Sequence, residues 1–454
     1  MQPHKRRLRA GLLLVVLPVL VVLPVAAAPQ QNVFEQYQAW CQGAASVSHE
    51  RRIIGCSALI QALKNNPRNR AIAHFLRGAA YYDHSDYDQA IADFDEAIRI
   101  NPKYAEAFDS RASAWRGKGD LDRALADYDE AVKLSPEDAD MLNNRGNAYN
   151  EKGDPDRAIA DFDRALKIDP KSAGAYYNRG ISYNNKGDNA KAIADYDQAI
   201  KLEPKDPTIY NNRGKALSDS NQSDRALADY DEAIKLEPKF ALAYFNRGSE
   251  YRDRKELDRA IADFDVAIRL DPNYAPAYGN RARAWQDKGD LDRAMADFNA
   301  SLRLNPRGYR DFNGRGFLHY TRGNLDRAIA DFDAAVRIDP GYSLGFSNRC
   351  LARAVKGQLR EAMADCNESV RLRADSALAL DRRGFAHFKL GEIDAAIADY
   401  TGALAIDERH ATAFYGRGLA LSQKGDSAAA ARDRDAARAL DPKVEEEFAR
   451  RGVK

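Results

Sequence analysis

The sequence predicts an all-α protein, an α-solenoid built from stacked helical hairpins. Three observations predict it. A 34-residue period runs from Ala71 to Val444, marked by Pro102, Pro136, Pro170, Pro204, Pro238, Pro272, Pro306 and Pro340, with Ala374 and Glu408 filling the slot before Pro442 restores it. Each period holds two runs of helical spacing. A glycine-containing turn signal separates the two runs. A fixed period of this size means an array, so the 454 residues make one series of eleven contiguous repeats rather than the two or three domains that length alone suggests.

The repeat Ala173–Asp206 shows how the residues build it. Tyr176, Arg179, Gly180 and Tyr183 stand at i, i+3, i+4 and i+7, on one face of a first helix. Lys186-Gly187-Asp188 interrupts: glycine can take the left-handed conformation that closes a helix, and Asp188 suits the N-cap of the next. Ala192, Tyr196, Ala199 and Ile200 share a face of the second helix, which Pro204 stops. Small residues at Gly180 and Ala192 should let the two helices approach, with Tyr196 filling the space beside them.

These places resemble the tetratricopeptide repeat: an aromatic fourth, Gly or Ala eighth, an aromatic eleventh, Ala twentieth, an aromatic twenty-fourth, Ala twenty-seventh and Pro thirty-second. Leu142, Gly146, Tyr149, Ala158, Phe162, Ala165 and Pro170 fill the set in the third repeat, and Tyr244, Gly248, Tyr251, Ala260, Phe264, Ala267 and Pro272 in the sixth. The resemblance spans 71–444 and implies a right-handed superhelix of about eleven to twelve hairpins with a concave face. Residues 28–70 read as a degenerate N-terminal repeat or cap whose second helix survives, with Gly55, Leu59, Ala62 and Pro67 in the expected slots. Residues 445–454 read as a C-terminal capping helix over the eleventh hairpin, with Phe448, Arg451 and Gly452 in the fourth, seventh and eighth places. The ninth to eleventh repeats are the least regular, with Cys350, Arg353, Cys366, Ala374 and Arg434 in place of typical residues, and should be the less stable part.

The seventh place is Arg and the twenty-third Asp in all eleven repeats, Arg179 with Asp195 and Arg213 with Asp229 among them. An Arg on a packing surface needs a partner, and a carboxylate supplies it by a planar two-pronged contact. A ladder of partly buried structural ion pairs is expected, within or between repeats.

Residues 1–27 read as a signal peptide: a basic head from His4 to Arg9, an apolar run from Gly11 to Val25, then Ala26-Ala27. The alternative is an uncleaved anchor. The net charge of +1 falls to about −3 without Lys5, Arg6, Arg7 and Arg9, a balance that excludes a nucleic-acid partner recognised by bulk charge. Four cysteines suit an oxidising compartment and allow three pairings; Cys41–Cys56 and Cys350–Cys366, each close in sequence, are the expected bonds. The chain is therefore expected to be periplasmic or secreted, an exported bacterial type, or anchored in the inner membrane with the repeats outside the cytoplasm if the leader is retained.

No catalytic constellation is visible. G-x-S-x-G and H-E-x-x-H are absent, and Ile209 stands where a phosphate loop ending at Gly214-Lys215 needs its first glycine. No metal or cofactor is implied. His74, His319 and His387 occupy packing slots. What remains is the first-helix face, which lines the concave groove in the family. Its sixth place is Asn in Asn144, Asn178, Asn212, Asn246, Asn280 and Asn348. A side-chain amide offers both a donor and an acceptor, so such a row can hold an extended peptide by its backbone. The row resembles the asparagine ladder in the repeat arm of the glycosyltransferases that modify Ser/Thr with N-acetylglucosamine. The family's two-carboxylate clamp for chaperone C-termini needs Lys in the fifth place, and no repeat has one.

The function expected is a non-enzymatic scaffold binding a peptide or partner protein in the groove. An envelope-assembly adaptor is the alternative, and a glycan-binding protein or an enzyme stands behind both.

Overall fold

The computed structural model describes residues 28–43 and 47–453; the signal peptide expected over 1–27 lies outside them. Among the described residues there are twenty-five helices and no strand. Twelve pairs form hairpins, an N-terminal one and then eleven numbered as the repeats are, and a short helix, Val444–Arg450, follows the eleventh.

The fourth hairpin shows why these residues fold as they do. Its helices are Ala173–Asn185 and Asn189–Leu202. Ser172 caps the first by accepting from the Ala175 amide, and Asp188 caps the second by accepting from Lys191. Gly187 makes the turn at φ +77°, a conformation that costs a Cβ-bearing residue energy. Tyr196 is buried in the gap that Gly180 leaves: a Cβ there would stand 2.7 Å from the tyrosine ring.

The ends differ from expectation in two respects. The degenerate N-terminal repeat has both of its helices, Ala28–Gln42 and His49–Ala62, where the sequence suggests only the second. Pro67 does not stop that second helix; it opens the next, Pro67–Asp83, which starts one turn before Ala71 because proline at the first helical position loses no hydrogen bond. The helix Val444–Arg450 does follow the eleventh hairpin, and its buried Phe448 meets first-helix side chains, with ring centroids 4.8 Å from Tyr415 and 6.0 Å from Phe385.

The chain divides into two compact halves between Leu236 and Glu237. Within each half, consecutive hairpins share apolar clusters. Tyr196 and Ile193 pack with Ile209, Leu217 and Tyr230 in the first half, and Leu351, Phe385 and Tyr400 pack with Phe448 in the second. Successive first helices lie beside one another, including Ser343–Lys356 with Ala377–Leu390 and the latter with Ala411–Lys424. No helix among the described residues is long and apolar enough to cross a membrane.

The arginines stitch this stack in both directions. Arg179 donates Nε and Nη2 to the two carboxylate oxygens of Asp195 in its own hairpin, at 2.8 and 2.7 Å, and Nη1 to Asp163 of the preceding one at 2.6 Å. Arg213 does the same with Asp229 and Asp197. The two-pronged contact recurs from Arg77–Asp93 to Arg417–Asp433. The backward contact weakens late in the chain, where Asn299, Asn367 and Thr401 replace the carboxylate and the last two stand 3.4 Å from Arg383 and Arg417. A half-buried guanidinium with three donors placed on carboxylates offsets most of its desolvation.

Cys41 and Cys56 sit with Cα atoms 4.6 Å apart, and Cys350 and Cys366 with 5.3 Å, distances compatible with one disulfide in each hairpin.

Candidate functional site

The face formed by the first helices is where side chains are left over once packing and stitching are complete. In the first half it is rich in amides, and the structure shows how they are used. Asn144 donates to both oxygens of Asp109 at 3.1 Å, Asn178 to Oδ1 of Asn143 at 2.9 Å, and Asn212 to the Tyr177 hydroxyl at 2.8 Å. Each bond runs from the sixth place of one hairpin back to the fifth place of the hairpin before. The amide nitrogens are therefore spent on register. The Oδ1 atoms of Asn144 and Asn178 take no hydrogen bond among the described residues, so this part of the row offers acceptors rather than donors.

Neighbouring groups close the same mesh. Ser182 donates to Oδ1 of Asn150 at 2.9 Å, and Asn184 donates to Asn189 at 2.8 Å. In the second half, Asn246 is half-buried on the helix Ala241–Asp253. Asn280 accepts from Arg252 at 2.5 Å and donates to the Pro276 carbonyl at 3.0 Å. Asn348 is buried, donates to Asn313 at 2.7 Å and accepts from Arg382 at 2.6 Å, so it presents nothing to a partner. The six asparagines thus share a place in the repeat without sharing a role.

Three buried carboxylates and one buried guanidinium on the first helices have no counterpart in the sequence expectations. Asp109 is 7 % exposed, and burial pushes its carboxyl up to about 7 although the Asn144 amide pulls it down. Asp311 is buried and accepts from Arg283 at 2.5 Å and from Ser301 at 2.6 Å. Asp381 is fully buried, and neither of its oxygens has a hydrogen-bond partner; His410 Nε2 and Arg451 Nη1 both stand 3.9 Å away. Burial disfavours the Asp381 charge, but His410, Arg451 and Arg382 together hold the carboxyl below its ordinary value. Burial, with Arg451 adding to it, lowers Arg382 to about 10. The available signal was a charged pair, Asp381-Arg382, in the fifth and sixth places, where every other repeat carries neutral groups except the second with Asp109.

Aromatic side chains are mostly consumed by packing. Phe245 lies against Phe264 and Tyr274, with centroids 6.0 and 5.2 Å away, and Tyr320 and Phe388 join the cluster around Phe385. The histidines serve locally: His74 is buried and bonds Asp93 at 2.8 Å, and His387 bonds Glu392 at 2.5 Å. Among the described residues, no group of three His, Cys, Asp or Glu side chains is placed to hold a metal ion.

Comparison with known proteins agrees with this architecture. Models of the tetratricopeptide repeat match residues 71–104, 111–173, 162–194, 211–275 and 280–343, and a TPR-repeat model matches 182–220 and 384–425. No curated protein sequence matches the chain. Among solved structures, Cut9 with Hcn1 in the APC/C hetero-tetramer is 15 % identical, covering 94 % of this chain and 97 % of that one, with a TM-score of 0.52. YrrB, a TPR protein with an unusual peptide-binding site, is 24 % identical over 43 % of this chain and 97 % of that one, with a TM-score of 0.35. Yeast Tom70 is 16 % identical over 84 % and 94 %, with a TM-score of 0.40. The period, the hairpins, the packing places and the repeat-model matches agree, and the chain belongs to the tetratricopeptide-repeat family.

Proposed function

We propose that the protein is a non-enzymatic scaffold that holds an extended segment of a partner protein against its first-helix face. The observation that carries this is the acceptor row in the first half. Asn144 and Asn178 each anchor their nitrogen on the preceding hairpin and leave Oδ1 without a protein partner. An acceptor repeated at the pitch of the hairpins suits the N–H groups of an extended backbone, which recur whatever the sequence. Packing of half-buried aromatics such as Phe245 against their neighbours supports a peptide over a glycan, since a sugar-binding face needs free platforms.

The working compartment proposed is the periplasm or the exterior, supported by the apolar leader and by two cysteine pairs at disulfide distance. The test is a peptide array probed with the purified chain and with Asn144→Ala/Asn178→Ala. Peptides that bind the parent should lose at least tenfold in affinity on the variant, and N-methylation of alternate backbone amides should have the same effect. Equal binding of every peptide by both proteins contradicts the reading.

A further inference from the structure

We infer that the first-helix face of the tenth and eleventh hairpins is a receptor for a partner segment carrying an aromatic residue and an arginine three positions later, and that the chain's own residues 444–453 occupy it in this structure. The inference rests on the peptide-binding reading of this face, but on different residues.

Phe448 and Arg451 lie three apart, on one side of the segment, and Arg451 lies over the Phe448 ring at 4.8 Å. Phe448 fills the space between Phe385 and Tyr415, which belong to the first helices of the tenth and eleventh hairpins. Arg451 follows it inward, is 4 % exposed, and points its guanidinium at Asp381.

The seat is built for a guanidinium, but this one does not complete it. Asp381 is the one buried aspartate among the described residues with both oxygens unbonded; Arg451 Nη1 and His410 Nε2 each stand 3.9 Å from it, and Arg451 spends Nη2 on Glu447 while Nε and Nη1 stay unbonded. Elsewhere the chain shows what a matched pair looks like: in the same tenth hairpin Arg383 meets Asp399 through two bonds of 2.7 Å. A buried charge pair held just outside bonding distance bears most of its desolvation cost without the compensating contact. A segment free to choose its own register can close that gap; residues 444–453, tethered to the eleventh hairpin and tied to it by Arg438–Glu445 at 2.7 Å, do not. Past Gly452 and Val453 a cleft of about 540 Å³ lined by Phe388, Lys389, Leu419 and Arg434 leaves room for further residues of an incoming segment.

The probe is a fluorescent peptide with the sequence of Val444–Val453, titrated into the full chain, into the chain shortened to end at Lys443, and into full-length Phe448→Ala/Arg451→Ala. The shortened chain, or the full-length double variant should the shortened one lose helical signal, should bind at least tenfold more tightly than the parent, whose own segment competes. Replacing the peptide's arginine by alanine, or Asp381 by asparagine in the protein, should each lower that affinity at least tenfold. Equal binding of the arginine and alanine peptides overturns the inference. So does a dimer of the parent whose formation requires residues 444–453, because the occupant is then a second copy. Peptide binding that survives Asn144→Ala/Asn178→Ala is expected. Loss of this binding with asparagine-dependent binding intact removes this inference alone; the converse removes only the asparagine row.

Discussion

The third to fifth hairpins and the tenth use the same scaffold places for opposite chemistry. Early in the chain the sixth place holds an amide that bonds back across each hairpin boundary, as Asn178 does to Asn143. Late in the chain the fifth and sixth places hold Asp381 and Arg382, both buried and neither fully satisfied. The backward grip of the seventh-place arginine loosens only in the last two hairpins: a carboxylate at 2.6 Å for Arg179, Arg213 and still for Arg349, against Asn367 and Thr401 oxygens at 3.4 Å for Arg383 and Arg417. Regular hairpins spend their polar groups on one another. The tenth keeps charge unspent. A repeat array can carry both because each hairpin answers only to its neighbours.

The largest effect expected is in the regular region. Asp195→Ala leaves the Arg179 guanidinium without its two-pronged partner, and because Arg179 keeps some exposure and its Asp163 contact, the cost should be about 2–3 kcal/mol, at or below the low end for breaking a buried pair. Hydrogen exchange resolved by hairpin measures it, since a repeat array does not unfold in one step. Loss confined to the fourth hairpin and its neighbours fits the account; an unchanged exchange pattern breaks it.

Asp109 gives a prediction of opposite sign. Its carboxyl keeps its proton to about pH 7 when folded, whereas the unfolded chain releases it near pH 4. Between those values the folded state binds more protons, so this residue's contribution falls as pH rises and is flat above about 7. Asp109→Asn keeps an acceptor for Asn144 and removes the ionisation cost, so it should stabilise the first half at pH 7.5 by about 1–3 kcal/mol and flatten its pH profile between 4 and 7. A profile no flatter than the parent's contradicts the burial of a carboxylate there.

Two smaller effects sharpen the comparison. Asn178→Ala should cost about 1 kcal/mol through the lost bond to Asn143, read as faster exchange where the third and fourth hairpins meet. Asp156→Ala, which removes an exposed contact to Lys186, should cost about 0.5 kcal/mol or less, and that only at low salt. A loss above 1 kcal/mol at the second site would mean that surface contacts, not the half-buried arginines, carry the stack.

Much of this fold is legible in the sequence because each packing place has a physical reason to be small, aromatic or proline, and because arginine on a packing surface demands an acid. The N-terminal hairpin was harder: Ala28–Gln42 has no strong apolar stripe, and its helix is held by its partner rather than by its own pattern. Pro67 is ambiguous by nature, since proline suits both the end of one helix and the start of the next. The site was legible only by place. The sixth-place asparagines could be found from the period, but whether an amide turns to a ligand or to the hairpin behind depends on the group 35 residues earlier, which is Asp109, Asn143 or Tyr177 in the first half. Asp381 was invisible as a seat because its occupant, Arg451, lies 70 residues away, beyond the eleven complete repeats.

The most direct measurement compares three proteins, the parent, Asn144→Ala/Asn178→Ala and Asp381→Asn, against one set of extended peptides with and without a Phe-x-x-Arg element. Two chemically distinct stretches of first-helix surface, one in each half, predict a split: the asparagine variant loses backbone-dependent binding to all peptides and keeps the arginine preference, while Asp381→Asn loses only the preference. If all three proteins bind every peptide alike, the first-helix face is not where this scaffold meets its partner.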